Sequence, residues 1–180
     1  MFLQKKKIYL VGMPACGKST LGIQLAEYLN LEFVDTDVEI EKVSNQSIAE
    51  LIKEEGEGAF RLWERLIVRN LKEESRIVVA TGGGTPSHQN NIEYMLQQGI
   101  VIYIKVPSET LLTRLSNAED VSKRPLLADY ATDTSGLLSH LQQTLLKRAM
   151  YYEMAHFTVD GTRKVNDSIN QIVKNLNKMI

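Results

Sequence analysis

A glycine-rich stretch near the start of the chain has the residues and the spacing of a phosphate-binding loop. Residues Gly12 to Thr20 fit the pattern G-x-x-x-x-G-K-[S/T]. An apolar run, Ile8 to Val11, precedes the loop, and apolar residues at helical spacing follow it. Backbone N–H groups of such a loop surround phosphate oxygens, and the N-terminus of the next helix adds positive potential. The stretch therefore predicts a nucleoside triphosphate site rather than a chance glycine-rich turn.

Three side chains of this loop have specific chemistry. Lys18 has the position of the lysine that reaches the β- and γ-phosphates, and the Ser19 hydroxyl that of a Mg²⁺ ligand. Cys16 is the one cysteine of the chain, which excludes an internal disulfide and is typical of a reducing compartment. A thiol beside a lysine and a helix N-terminus favours the thiolate. The simpler interpretation is a small residue at a variable loop position.

Two carboxylates follow a second predicted strand, Glu32 to Val34. Asp35 and Asp37 are two residues apart, so both can project into one cleft. Asp35, nearer the phosphate loop, is the candidate to bind Mg²⁺ directly or through water. Asp37 then faces an acceptor hydroxyl, which it can orient and deprotonate. The alternative for Asp37 is a capping role at a helix predicted to begin at Val38.

A triple glycine and three arginines complete the candidate residues. Gly82 to Gly84 follow the third predicted strand, where the lack of a Cβ allows close approach of a ligand or a tight turn. Arg61, Arg124 and Arg148 have planar guanidinium groups that suit carboxylate and phosphate. Position alone favours a surface or ion-pair role for each arginine.

The predicted elements bring these polar junctions to one edge of a sheet. Apolar strands are predicted near residues 7–11, 32–34, 77–80, 100–106 and 157–159, with helices between them. Alternation of this kind predicts an α/β protein with a parallel sheet and helices on both faces. Ligands of such folds bind beyond the carboxyl ends of the strands. The loop, the aspartates and the triple glycine all lie there.

The connection after the second strand and a later segment are less regular. Ser47 and Glu50 form a predicted capping box. We expect Gly56 and Gly58 to end that helix and a new helix to run from Ala59 to Glu73. Residues 117–134 have little apolar periodicity, and a segment of this length without periodicity in a compact domain is usually functional or disordered.

Length and composition indicate one globular domain. The chain has 180 residues, and its 21 Lys and Arg nearly balance 22 Asp and Glu, which gives no reason to expect nucleic-acid binding. No apolar stretch is as long as a membrane span, and the N-terminus lacks the apolar region of a signal peptide. We expect a cytoplasmic monomer that binds small molecules and neither nucleic acid nor a membrane.

The ordered set of motifs resembles the shikimate kinases over nearly the whole chain. The resemblance rests on the phosphate loop, Asp35-Thr36-Asp37, Phe60-Arg61 with Glu64, the triple glycine, Arg124-Pro125-Leu126-Leu127, and Arg148 followed by Tyr152-Glu153. It implies a five-stranded parallel sheet of the nucleoside-monophosphate-kinase type, and ATP-dependent phosphorylation of the shikimate 3-hydroxyl. It also implies a single kinase domain over residues 1–180, with a substrate-binding region at 35–73 and a mobile lid at 117–134.

The resemblance implies a role for each matching residue. The catalytic residues would be Lys18, Asp37 and Arg124. Shikimate would contact Asp37, Arg61, Gly83 and Arg148, with both arginines on its carboxylate. Mg²⁺ would contact Ser19 directly and Asp35 through water. ATP would contact Ala15, Cys16, Gly17, Lys18, Ser19, Thr20, Arg114, Arg124 and Arg163. The family loop often has glycine where this chain has Ala15.

Two other functions are compatible with the phosphate loop alone. A gluconate kinase or a nucleoside-monophosphate kinase has such a loop, but two arginines and a triple glycine favour a compact polyol acid as acceptor. A non-catalytic switch of the GTPase kind needs an Asn-Lys-x-Asp segment. The one Asn-Lys pair, Asn177-Lys178, is followed by Met179-Ile180 and does not fit.

Overall fold

The computed structural model describes residues 7–71, 76–115 and 125–179. Within these ranges, five strands form one parallel sheet in the order β2-β3-β1-β4-β5. The predicted α/β class with a five-stranded parallel sheet is thus confirmed. The strands are β1 (Lys7–Val11), β2 (Glu32–Asp35), β3 (Ile77–Ala80), β4 (Gly99–Lys105) and β5 (Phe157–Asp160).

The central strands are apolar because both faces of the sheet are covered. Every residue of β1 and β3 is buried, as is β4 from Gly99 to Ile104. Successive residues of a strand point to opposite faces, so continuous burial requires cover on both sides. The outer strands β2 and β5 are only partly buried. This gradient in burial follows the position of each strand in the sheet.

Helices and short 3₁₀ helices connect the strands. In the described ranges the α-helices are α1 (Lys18–Leu29), α2 (Thr36–Ser44), α3 (Ile48–Asn70), α4 (Asn91–Gln98), α5 (Ser108–Arg114), α6 (Thr134–Tyr152) and α7 (Val165–Lys178). The 3₁₀ helices span Thr85–Ser87 and Pro125–Tyr130. None of these helices has both the length and the apolar character needed to cross a bilayer.

The start of α2 differs from the prediction. The helix begins at Thr36 rather than Val38 because the Asp35 carboxylate accepts the backbone N–H of Asp37 over 3.0 Å. A short polar side chain in this position satisfies one of the free N–H groups of the first turn. The capping role considered for Asp37 therefore belongs to Asp35.

The predicted break at two glycines is correct for only one of them. Gly56 has φ 85° and ψ 165° and kinks α3, whereas Gly58 stays helical. A glycine inside a helix costs about 1 kcal/mol, which packing of neighbouring residues can offset. The buried residues Phe60 and Ile67 pack with Ile40 of α2 and Leu51 in a small second core. The predicted capping box of Ser47 and Glu50 is confirmed.

Candidate active site

The phosphate loop leaves β1 through a glycine that no other residue could replace. Gly12 has φ 147°, and a Cβ there would lie 2.7 Å from the Ile104 carbonyl oxygen. Gly17 has φ 98° and precedes α1 as its N-cap residue. Both glycines have backbone angles that L side chains rarely adopt. They bring the loop back over the N-terminus of α1, as the motif predicts.

Ala15 lies in the loop with a left-handed backbone. Its φ is 63°, although it carries a Cβ. The left-handed conformation brings Cβ close to the following carbonyl oxygen, at a cost of about 1–2 kcal/mol for residues other than glycine. Ala15 therefore keeps this left-handed conformation at the cost of backbone strain.

This strain predicts the effect of Ala15→Gly on stability. The variant should raise the free energy of unfolding by about 0.5–1 kcal/mol, because relief of left-handed strain exceeds the added freedom of the unfolded chain. Denaturant unfolding without ligand measures the change. The matched control is Ala59→Gly in the interior of α3, which should lower the free energy of unfolding by about 0.5–1 kcal/mol. A loss of stability in both variants would contradict the prediction.

The ammonium group of Lys18 lies at the centre of the loop. Its Nζ donates to the carbonyl oxygens of Gly12 and Met13, both over 2.9 Å, and lies 3.7 Å from the Cys16 sulfur. The Cys16 side chain is buried. These contacts hold the ammonium group inside the phosphate loop, with the buried Cys16 sulfur beside it.

Ser19 and Asp35 meet at the edge of the loop. The Ser19 hydroxyl donates to Asp35 Oδ2 over 2.6 Å, across 16 residues of sequence. Hydroxyl and carboxylate oxygens are the ligands Mg²⁺ prefers, and Mg²⁺ commonly binds only one or two protein groups besides phosphates and water. The donor set thus fits the predicted metal, and the proximity of these two residues agrees with the sequence interpretation.

A cleft of about 270 Å³ lies on one side of the loop. All four residues predicted to contact shikimate line it, namely Asp37, Arg61, Gly83 and Arg148. They come from α2, α3, the turn after β3 and α6. The loop contributes Met13 and Pro14 to the same wall. The fold therefore brings these residues together beside the phosphate loop.

Arg61 is almost fully buried and is paired with two carboxylates of α3. Its Nη1 donates to Glu64 over 2.9 Å, and its Nη2 donates to Glu57. The side chain of Glu64 is buried, while that of Glu57 is half exposed. Burial lowers the pKa of Arg61, but Glu64 and then Glu57 more than compensate, so the pKa is raised above its ordinary value. Arg61 is thus a fixed cation in the wall of the cleft.

Glu64 also binds a residue that the sequence did not single out. Its Oε1 accepts a hydrogen bond of 2.6 Å from the Thr85 hydroxyl, and both residues are fully buried. Glu64 appears in the motif, but its spacing from Arg61 says nothing about a partner 21 residues further on. Thr85 had no sequence signal apart from its position after the triple glycine. Together they hold Arg61 against the turn.

The triple glycine makes room for the site's own side chains. A Cβ at Gly82 would lie 2.6 Å from Glu64 Oε1 and 2.9 Å from Asp37 Oδ1, and one at Gly84 would lie 2.5 Å from Arg61 Nη1. Such contacts are shorter than packed atoms tolerate. Close approach therefore explains the triple glycine better than a tight turn does. The groups that approach the glycines are side chains of the protein itself.

A second cleft, of about 260 Å³, lies on the other side of the loop. Arg114 crosses it and donates to the carbonyl oxygens of Ala15, Cys16 and Gly161 over 3.3, 3.1 and 2.6 Å. Arg163 lines the same cleft and pairs with Asp160 on the surface over 3.3 Å. The residues predicted for ATP that line it are Ala15, Cys16, Gly17, Thr20, Arg114 and Arg163.

The structure describes only residues 125–134 of the predicted lid. Arg124 and the rest of 117–124 lie outside the described residues. The following 3₁₀ helix supplies Leu126 and Leu127 to the wall of the first cleft. His140 of α6 lines this wall too, and burial, followed by the charges of Arg148 and Lys147, lowers its pKa.

Comparison with known proteins agrees with this arrangement. A family model described as shikimate kinase matches residues 14–177. A shikimate kinase of Clostridium botulinum (strain Loch Maree / Type A3) is 39% identical over 169 residues, covering 94% of this chain and 95% of that protein.

Solved structures give the same result. The shikimate kinase from Acinetobacter baumannii in complex with shikimate has a TM-score of 0.87 and 34% identity, covering 98% of this chain and 96% of the other. The shikimate kinase from Bacteroides thetaiotaomicron has a TM-score of 0.88 and 30% identity, covering 96% and 98%. The chain belongs to the shikimate kinase family.

Proposed function

We propose that this chain transfers the γ-phosphoryl group of ATP to the 3-hydroxyl of shikimate, giving shikimate 3-phosphate and ADP for aromatic amino acid biosynthesis. One observation carries the proposal: Asp37, Arg61, Gly83 and Arg148 line a single cleft whose wall includes the phosphate loop. Membership of the family supports it, as does the solved complex of the Acinetobacter baumannii relative with shikimate. Gluconate and nucleoside monophosphates are thereby disfavoured as acceptors.

The carboxylate of the acceptor binds Arg61 and Arg148. A guanidinium donates in a planar fork that matches a carboxylate, and such charge-assisted hydrogen bonds are stronger than neutral ones. Arg61 is oriented for this role by Glu57 and Glu64. Backbone groups of Gly83 contact the ring, since no Cβ blocks them. The acceptor's orientation in the cleft follows from these contacts.

Asp37 orients the 3-hydroxyl toward the γ-phosphate and accepts its proton as the new P–O bond forms. Phosphoryl transfer depends mainly on positioning and on neutralising charge on the transferring group. Lys18 supplies positive charge from the loop, and Arg124 supplies it from the lid. Ser19, and Asp35 through water, would hold Mg²⁺, which would supply further neutralisation of the phosphates.

The assignments of regions follow from the same proposal. Residues 35–73 form the acceptor-binding region, and residues 117–134 form a lid that excludes water, so that ATP is not hydrolysed without an acceptor. Nucleotide contacts fall on the second cleft, including Arg114 and Arg163. The use of Mg²⁺, the monomeric state and the cytoplasmic location stay predictions.

A coupled assay of ADP release tests the proposed function. We expect release to depend on shikimate, with little in its absence or with gluconate. Direct detection of shikimate 3-phosphate by phosphorus NMR identifies the hydroxyl that reacts. Equal rates of ADP release with and without shikimate would overturn the proposal. Faster release with gluconate than with shikimate would instead identify the alternative small-molecule kinase.

A further inference from the structure

A buried tyrosine of α6 contacts the turn after β3, which forms part of the wall of the acceptor cleft. The Tyr152 side chain is fully buried, and its ring stacks on Tyr103 of β4 with a centroid distance of 5.1 Å. Its hydroxyl donates to the carbonyl oxygen of Gly83 over 2.6 Å, across 69 residues of sequence. A short hydrogen bond from a fixed ring determines the orientation of the peptide that it contacts. Tyr152 therefore fixes the Gly83 carbonyl.

The same hydroxyl lies beside Arg148. The two residues are four apart on α6, a spacing that places side chains on one face of a helix. Burial raises the pKa of Tyr152 above its ordinary range, whereas the charge of Arg148 and its hydrogen bond to the hydroxyl act in the opposite direction. The hydroxyl thus donates to the Gly83 carbonyl and has the guanidinium of Arg148 as a charged neighbour on the same face of α6.

We propose that Tyr152 is a positioning residue that directs Arg148 toward the acceptor's carboxylate by linking the guanidinium to the Gly83 carbonyl. The inference rests on the proposed role of Arg148 in binding shikimate. Arg148 is only partly buried and has a long, flexible side chain, so it loses much rotamer freedom when it binds. A partner that holds the side chain before the acceptor binds reduces that loss, which strengthens binding without adding a contact to the ligand.

The variant Tyr152→Phe isolates the hydroxyl, because it keeps the ring that stacks on Tyr103. We expect the KM for shikimate to rise about two- to tenfold, the range for losing an ordinary hydrogen bond, because the hydroxyl acts on the acceptor only through Arg148. The KM for ATP should stay unchanged, because the hydroxyl acts on the acceptor side. Tyr151→Phe is the matched control: it removes a neighbouring hydroxyl from a partly buried tyrosine, and it should leave both KM values unchanged.

Three results would overturn the inference: an unchanged KM for shikimate in Tyr152→Phe, a parallel rise in the KM for ATP, or the same rise in Tyr151→Phe. A parallel rise would indicate a general structural role, since Tyr152 also lies 3.7 Å from the sulfur of Met13 in the phosphate loop. Wild-type protein that shows no shikimate-dependent ADP release would contradict the proposed function itself, so the two failures are distinguishable.

A double-mutant cycle tests whether Tyr152 acts through Arg148. Tyr152→Phe is introduced into wild-type protein and into Arg148→Met, and kcat/KM for shikimate is measured in all four proteins. If Tyr152 positions Arg148, its substitution has little further effect once the guanidinium is absent. Equal effects in both backgrounds would show that Tyr152 acts independently of Arg148, which contradicts the inference.

Discussion

Asp37→Asn will lower kcat for phosphorylation of shikimate by about 10²–10⁴-fold, the usual contribution of a general base. Asparagine has the shape of aspartate and can still orient a hydroxyl, but it neither carries the charge nor accepts the proton. ATP binding should be unchanged, because Asp37 lines the acceptor cleft and not the nucleotide cleft. Steady-state kinetics and titration with a non-hydrolysable ATP analogue measure the two effects.

The geometry makes Asp37→Asn a clean test of the base. Asp35, not Asp37, caps α2, so the substitution leaves the cap intact. The lost interaction of a carboxylate with the helix N-terminus is worth about 0.3–1 kcal/mol, which the fold tolerates. Glu39→Gln removes a carboxylate from the same helix outside the cleft, and it should have wild-type kcat. Weakened ATP binding in Asp37→Asn, or near-normal turnover, would show that Asp37 has another role.

Arg61→Met will reduce both stability and acceptor binding. Without the guanidinium, the fully buried carboxylate of Glu64 keeps, within residues 7–71, 76–115 and 125–179, only the hydrogen bond from the Thr85 hydroxyl. Breaking a buried ion pair by removing one partner costs about 3–5 kcal/mol. In a chain of this size such a loss lowers Tm by on the order of 10 °C. Thermal unfolding in the absence of ligands measures it.

The same variant should raise the KM for shikimate about 10–100-fold, the range for losing a hydrogen bond to a charged group. Arg65→Met provides the control, because Arg65 is exposed on the same helix and should tolerate the change. The double variant Arg61→Met with Glu64→Gln removes the buried charge while keeping an oxygen that can accept from Thr85. It should recover most of the lost stability and none of the shikimate binding.

These outcomes separate the two roles of Arg61. Recovery of shikimate binding together with stability in the double variant would mean that Arg61 has only a structural role. A Tm of Arg61→Met equal to that of wild type would mean that Glu64 finds another partner or takes up a proton. The expected result is unequal recovery, with stability restored and binding still lost, because Arg61 and not Glu64 is proposed to contact the acceptor's carboxylate.

Features that depend on neighbouring residues could be predicted from the sequence. The phosphate loop and the capping box at Ser47 each rest on bonds between residues a few positions apart. The apolar runs of β1, β3 and β4 likewise record burial on both faces. The errors at α2 and at Gly58 were also local, and arose because a cap and packing in α3 shift a boundary by a few residues.

Some residues of the candidate site could likewise be predicted from the sequence, and others could not. Lys18, Ser19, Asp35 and Asp37 were identified from their side-chain types and from their positions after the first two predicted strands. From the residues alone, Arg61 and Arg148 were indistinguishable from surface arginines. The resemblance to a family, rather than any physical feature of these residues, singled them out. Burial among carboxylates is what separates Arg61 from an exposed neighbour such as Arg65.

The conformation of the phosphate loop could be inferred from the sequence alone, because the loop is built from consecutive backbone groups whose conformation its own glycines specify. The arrangement of the acceptor cleft, in contrast, depends on contacts between residues far apart in the chain. Glu64 meets Thr85 across 21 residues, and Tyr152 meets Gly83 across 69. Such contacts depend on the sheet order β2-β3-β1-β4-β5, which brings the turn after β3 beside the loop after β1. The spacing of residues along the chain does not show which distant side chains this strand order brings within hydrogen-bonding distance.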